Sequence, residues 1–334
     1  MENSEIKNEN QIILFDLIQK SLPKNQALVD IVSDILDVGI DATYRRIRGE
    51  KPISFEEAVK LCKHFNISMD AFANVITDKN YIKCRYSPLN LDKISDYLKY
   101  IQAISNNIEH FRKLPENEII LSATDIPIFN ILLHKELSYF RIFSWSKIVY
   151  GYTGNYDDYC NVLDSTEIVL SCLKNIEKHY SHIPSTEIWT DNTIDSTLKL
   201  LDFHSEMNHF DNKEMPLLLC EQLLDLMNTT QINAEKGAKG QDNIPFELYI
   251  SEADVGNTFV IFKSAHNINL LIKLYTINSL SISDERFCME TESWLRNLVQ
   301  RATLISRASE RDRFKFFQTQ RQKIQFLIDK IVAT

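Results

Sequence analysis

Arg45, Arg46 and Arg48, followed by Lys51, are the densest group of recognition side chains in the sequence. A guanidinium is a planar fork of donors that matches guanine O6 and N7, and both Arg and Lys hold phosphate oxygens. On a helix, positions 41, 44, 45 and 48 share one face. Ile40, Asp41, Tyr44, Arg45 and Arg48 are therefore expected to point outward. Arg46 lies beside that face and Lys51 just past the helix end, so both are assigned to phosphate. Asp41 suits either a helix N-cap or a base contact. Tyr44 suits stacking on a sugar-phosphate backbone or local packing. The chemistry these residues support is contact with duplex DNA.

Such a face needs a brace. Leu28, Ile31, Val32, Ile35 and Leu36 follow the i, i+3, i+4, i+7, i+8 spacing of a helix with one buried side. Ser33 is the small residue at which a second helix can cross closely, and Val38 is an apolar plug in the turn Asp37-Val38-Gly39. Thr43 and Ile47 are expected to face inward from the next helix, which stops at Gly49. Asp37 stands where a turn glycine is common and Gly39 where a Ser cap is common; Asp tolerates turn geometry. A first helix is expected over residues 10–21. Ser54 and Glu57 have capping-box spacing and open a fourth, with Ala58, Leu61, Cys62 and Phe65 on its core side. A fifth is expected from Ser68, carrying Phe72. Five helices thus fit in residues 1–80, and residues 81–92 read as a linker.

The run Tyr44-Arg45-Arg46-Ile47-Arg48-Gly49-Glu50-Lys51-Pro52, followed by Ser54-Phe55-Glu56-Glu57 and Leu61-Cys62-Lys63-His64-Phe65, resembles the lambda-repressor-like helix-turn-helix domain of BetR-type bacterial transcription regulators. Further on, Ala123-Thr124-Asp125-Ile126-Pro127-Ile128-Phe129, Glu187-Ile188-Trp189 and Asp284-Glu285-Arg286-Phe287-Cys288 resemble landmarks in the uncharacterised remainder of such proteins. The resemblance implies a sequence-specific DNA-binding regulator that acts as a dimer. The alternative is a protein-interaction module that keeps the same helices without touching DNA. Acidic neighbours such as Asp41 and Glu50 offsetting the arginines would favour the alternative.

Net charge is -9, which argues against indiscriminate coating of nucleic acid. It is unevenly spread: residues 1–80 sum to -3, residues 301–334 to +5, and residues 81–300 to -11. The opening MENSEIKNEN has neither a basic start nor an apolar run, and no stretch approaches 18 apolar residues. A cytoplasmic protein with no membrane partner is expected. The six cysteines form no Cys-x-x-Cys pair and read as small buried hydrophobes.

Residues 93–334 are expected to form an effector or oligomerisation domain. It should be mostly helical, with a small antiparallel sheet from strands near 245–276, giving a mainly α chain overall. Helices are expected over 92–113, 128–150, 165–182, 193–209, 216–235, 284–304 and 308–331, and a strand over 118–123. No enzyme signature is found. Gly237 and Gly240 form neither a P-loop nor a dinucleotide fingerprint and read as a flexible loop. The pairs His179/His182 and His204/His209 lack a carboxylate partner at ligand spacing. No metal, cofactor or catalytic group is therefore expected. The aromatic run Tyr139, Phe140, Phe143 and Trp145 reads as core, or as one wall of a pocket for an unknown effector. In the last helix Phe317, Ile324 and Ile331 recur every seven residues, as in a coiled-coil seam, with Arg321 interrupting.

Overall fold

The computed structural model describes residues 9–22, 27–65, 67, 69, 82–86, 88–89, 93–253, 255–274 and 278–333. The chain divides into two compact units, Met1–Lys83 and Cys84–Thr334.

In the first unit the described residues form α1 (Glu9–Ser21), α2 (Leu28–Leu36), α3 (Ile40–Ile47) and α4 (Phe55–His64). Leu14, Phe15 and Ile18 of α1 meet Val32, Leu36, Leu61 and Cys62 in one core, the last four being on the faces expected from the spacing. Val38 packs against that core from the turn. The expected fifth helix, with Ser68 and Phe72, lies outside the described residues.

The second unit is built on a nine-stranded sheet. Its strands are β1 (Cys84–Tyr86), β2 (Glu118–Ser122), β3 (Ser185–Trp189), β4 (Ala238–Lys239), β5 (Ile244–Ile250), β6 (Phe259–Lys263), β7 (Ile268–Lys273), β8 (Ser279–Ile282) and β9 (Thr303–Leu304). The order is β1-β8-β7-β6-β2-β3-β5-β4, and β9 also pairs with β5. β2, β3 and β5 are mutually parallel, whereas β6, β7, β8 and β1 form an antiparallel run beside β2. Parallel neighbours need crossovers. Between β2 and β3 lie α6 (Ile128–Ile131), α7 (Lys135–Tyr150), α8 (Tyr156–Asp164) and α9 (Glu167–Tyr180). Between β3 and β5 lie α10 (Asp195–Glu206) and α11 (Met215–Lys236). The remaining helices are α5 (Ile94–Arg112), α12 (Glu285–Val299) and α13 (Glu310–Val332).

Helices cover both sheet faces. Phe259 and Phe262 of β6 are three residues apart, so they point to opposite sides. Phe259 meets Trp294 of α12, and Phe262 meets Phe111 of α5. Registered partners share a face, which puts Leu121, Val260 and Leu271 in one row on the α5 side.

The fold class expected from the sequence is overturned. This is an α/β chain with a large mixed sheet, not a mainly α chain with a small antiparallel one. Only β5, β6 and β7 fall in the expected window, and β1 lies inside the expected linker. β3 has no strand signature in the sequence, because all five of its residues are buried. A parallel strand covered on both faces has no apolar-polar alternation to read, and this one carries Ser185, Thr186 and Glu187. The expected single helix over 128–150 is broken between Ile131 and Lys135. Gly237 and Gly240 form no flexible loop: Gly237 is the left-handed cap of α11, and Gly240 turns β4 into β5. Of the cysteines, Cys62, Cys172, Cys220 and Cys288 are buried, whereas Cys84 is exposed and Cys160 partly so.

Candidate nucleic-acid interface

α2 ends at Asp37, whose φ of 55° and ψ of 51° put it in the left-handed region without a glycine. The turn is closed from both sides by Ser33: its carbonyl accepts the Val38 amide at 3.2 Å, and its hydroxyl donates to the Val38 carbonyl at 2.7 Å. The small residue at 33 thus ties the turn as well as clearing room for α3. Gly39 caps α3 without a side-chain bond. Asp41 sits in the first turn of α3 and is not its cap.

The outer face of α3 carries Ile40, Asp41, Tyr44, Arg45 and Arg48, all exposed, and Lys51 beyond it is exposed too. The inner side holds Thr43, whose hydroxyl donates to the Gly39 carbonyl at 3.2 Å.

Arg46 departs from its expected role. It is buried, and its Nη2 donates to Glu57 Oε1 at 2.8 Å. Its Nη1 donates to the Ala42 carbonyl at 3.3 Å. A guanidinium held this way has no free approach to phosphate. One position on from the exposed Arg45, Arg46 is turned by the helical step toward α4, where Glu57 waits. Ile47, expected inside, is partly buried and packs against the core of the first unit.

Glu57 does two jobs. Its Oε2 accepts the Ser54 amide at 2.8 Å while Ser54 Oγ accepts the Glu57 amide at 3.1 Å, completing the capping box read from the sequence. Burial acts to raise the Glu57 pKa, but the Arg46 hydrogen bond, the Ser54 amide and the charges of Arg46 and Lys51 outweigh it, and the net shift is downward.

Gln11 braces the far end of α3. Its Nε2 donates to the Arg46 and Lys51 carbonyls at 2.6 and 2.8 Å, and its Oε1 accepts the Ile53 amide at 2.9 Å. Nothing in the spacing singled out Gln11; a polar residue on the apolar side of α1 is the only trace it leaves.

Glu50 faces the two outward arginines. Arg48 Nε lies 2.7 Å from Glu50 Oε1, and Arg45 Nε lies 3.9 Å from Oε2. Side-chain exposures of 60% for Arg45, 59% for Arg48 and 47% for Glu50 make these surface pairs. Arg48 Nη2 also donates to Glu50 Oε2 at 3.2 Å, so this contact is two-pointed, whereas an exposed one-point pair such as Arg45–Glu50 contributes only about 0–1 kcal/mol.

In the second unit, His204 and His209 approach with their Nδ1 atoms 2.9 Å apart. Among the described residues no three His, Cys, Asp or Glu side chains gather as a metal site. Tyr139, Phe140 and Phe143 are core, whereas Trp145 borders a cavity. Phe317 and Ile324 of α13 are buried within their own unit. Among the described residues no helix is long and apolar enough to cross a membrane.

No family model matches this chain, and neither curated proteins nor solved structures provide a match.

Proposed function

We propose that the chain is a sequence-specific transcription regulator of the BetR-type, lambda-repressor-like kind, reading double-stranded DNA with α3. The supporting observation is the outer face of α3. Arg45 and Arg48 project side by side from a short helix whose other side is locked by Thr43, Arg46 and Gln11. Tyr44, Asp41 and Lys51 flank them. Rigid backing matters because a base contact loses its value if the helix can shift. An eight-residue helix is about 12 Å long and spans one half-site. A homodimer would supply the second half-site. In this reading the chain works in the cytoplasm and carries no catalysis.

The test is enrichment of duplexes from a random pool by the full-length protein, followed by anisotropy titration of the best sequence. Affinity should fall with salt at a log-log slope of about -0.9 per phosphate neutralised. Arg45→Ala and Arg48→Ala should each weaken binding by about 1–3 kcal/mol and relax the sequence preference. The reading fails if no sequence is enriched, or if the double variant selects the same sequences with unchanged affinity.

Glu50 favours a second reading, in which this face docks a protein. It offsets the two arginines, and Ile40 and Tyr44 are exposed beside them at 54% and 45%. Glu50→Gln separates the two. It should strengthen duplex binding if α3 reads DNA, and leave DNA enrichment absent if the partner is a protein.

A further inference from the structure

The second unit contains a cavity of about 140 Å³ at the carboxyl end of β2. Here the parallel half of the sheet gives way to the antiparallel half. In open α/β sheets, ligands collect beyond the carboxyl ends of the parallel strands. The floor is the registered row Leu121, Val260 and Leu271. Tyr97, Tyr100 and Trp145 form aromatic walls. An apolar cavity of about 150 Å³ is large enough to hold benzene.

Charge sets it apart from a packing defect. Asp125, Arg141 and Lys273 meet at one end. Arg141 Nη2 donates to Asp125 Oδ2, Arg141 Nη1 donates to Thr197 Oγ1 at 3.1 Å, and Thr197 Oγ1 donates to Asp125 Oδ1 at 3.3 Å. The Ile126 amide also donates to Oδ1, at 2.8 Å. Asp125 is thereby satisfied by Arg141 and its neighbours. Lys273 is left over: its Nζ is 4.0 Å from Asp125 Oδ2, and among the described residues it makes no hydrogen bond. Its side chain is only 29% exposed. Two cations against one anion leave the cluster at +1 beside apolar walls, where an unmatched charge is costly.

A second observation is independent of the charges. Tyr97 borders the cavity and is 1% exposed, yet its hydroxyl has no hydrogen-bond partner among the described residues. Buried hydroxyls are satisfied as a rule.

We infer that this cavity is a binding site for a small aromatic monocarboxylate, with the ring on the Leu121–Val260–Leu271 floor and the carboxylate on Lys273. The ring matches the volume and the aromatic walls, and the carboxylate neutralises the excess cation. The assignment is independent of what α3 binds.

The experiment is calorimetric titration of the full-length protein with benzoate, benzyl alcohol and benzylamine, which differ only in the headgroup. Benzoate should bind saturably, benzyl alcohol at least tenfold more weakly, and benzylamine not at all. Lys273→Gln should reduce benzoate affinity at least tenfold and leave benzyl alcohol unchanged, while Lys273→Arg should retain the preference for the acid. Absence of saturable benzoate binding, equal affinity for the three headgroups, or unchanged benzoate affinity in Lys273→Gln would overturn the assignment. The headgroup comparison uses the unaltered chain, so it is decisive even if Lys273→Gln does not fold.

Discussion

Glu57 of α4 holds Arg46 of α3 at 2.8 Å, with side-chain exposures of 20% and 7%. The same carboxylate closes the capping box at the start of α4 through Ser54. One side chain therefore fixes the position of α3 and the start of the helix that backs it.

Removing that charge should loosen the first unit. Glu57→Gln leaves the buried Arg46 guanidinium without its anion and weakens the cap. A cost of about 2–3 kcal/mol is expected, read as a lower urea midpoint for the first unit's transition with an unchanged slope. An unchanged midpoint would show that Arg46 is stable unpaired.

The same pair has a pH signature. The Glu57 pKa is lowered on folding, so the folded state holds this proton less readily than the unfolded chain. Its stabilisation is complete above the ordinary carboxylate value of about 4.5 and is lost as pH falls through the lower folded value. Acid melts of the protein should show this loss, and Glu57→Gln should remove part of it.

Neighbouring arginines should behave oppositely. Arg45→Ala and Arg48→Ala alter exposed side chains and should change stability by no more than about 0.5 kcal/mol. Arg46→Ala removes a buried guanidinium, and should lower the melting temperature while leaving no separate defect in duplex contact once the unit is folded. Melting curves and anisotropy on the same three variants distinguish the roles.

His204 should make the second unit acid-sensitive. Burial, with help from His209 and Lys147, pushes its pKa down to about 4. The unfolded chain takes up a proton near pH 6.5, which the folded state refuses until about pH 4. Stability should therefore fall with decreasing pH across that window, by about 3 kcal/mol at most. His204→Phe, placed among Phe140, Phe143 and Phe203, should flatten the profile. An equally steep profile in the variant would assign the effect elsewhere.

Gly240 tests the turn between β4 and β5. Its φ is +67°, and a Cβ there would lie 2.8 Å from the Ser181 carbonyl oxygen. Gly240→Ala should destabilise the second unit by more than about 1 kcal/mol, since both the backbone conformation and the space exclude a side chain. Differential scanning fluorimetry would reveal a mobile turn if the melting temperature stayed put.

Local patterns were sufficient for the elements whose burial is one-sided. The apolar spacing of α2, the Ser54–Glu57 capping box and the alternation in β5 each report a single buried face, and the sequence alone determined them. Tertiary structure decided what depends on a distant partner. Arg45, Arg46 and Arg48 are chemically identical; the helical step carries Arg46 to the inner side, and Glu57, eleven residues beyond it, is the distant partner that holds it there. β3 is recognisable only once β2 and β5 lie on either side of it, because burial on both faces erases its pattern. Asp125, Arg141 and Lys273 are far apart in the chain, and it is sheet register and helix packing that bring them to one cavity. Arg141 within the apolar run Tyr139-Phe140-Arg141-Ile142-Phe143 was the one visible hint of it: a cation in a buried helix must find an anion, but the sequence does not say which.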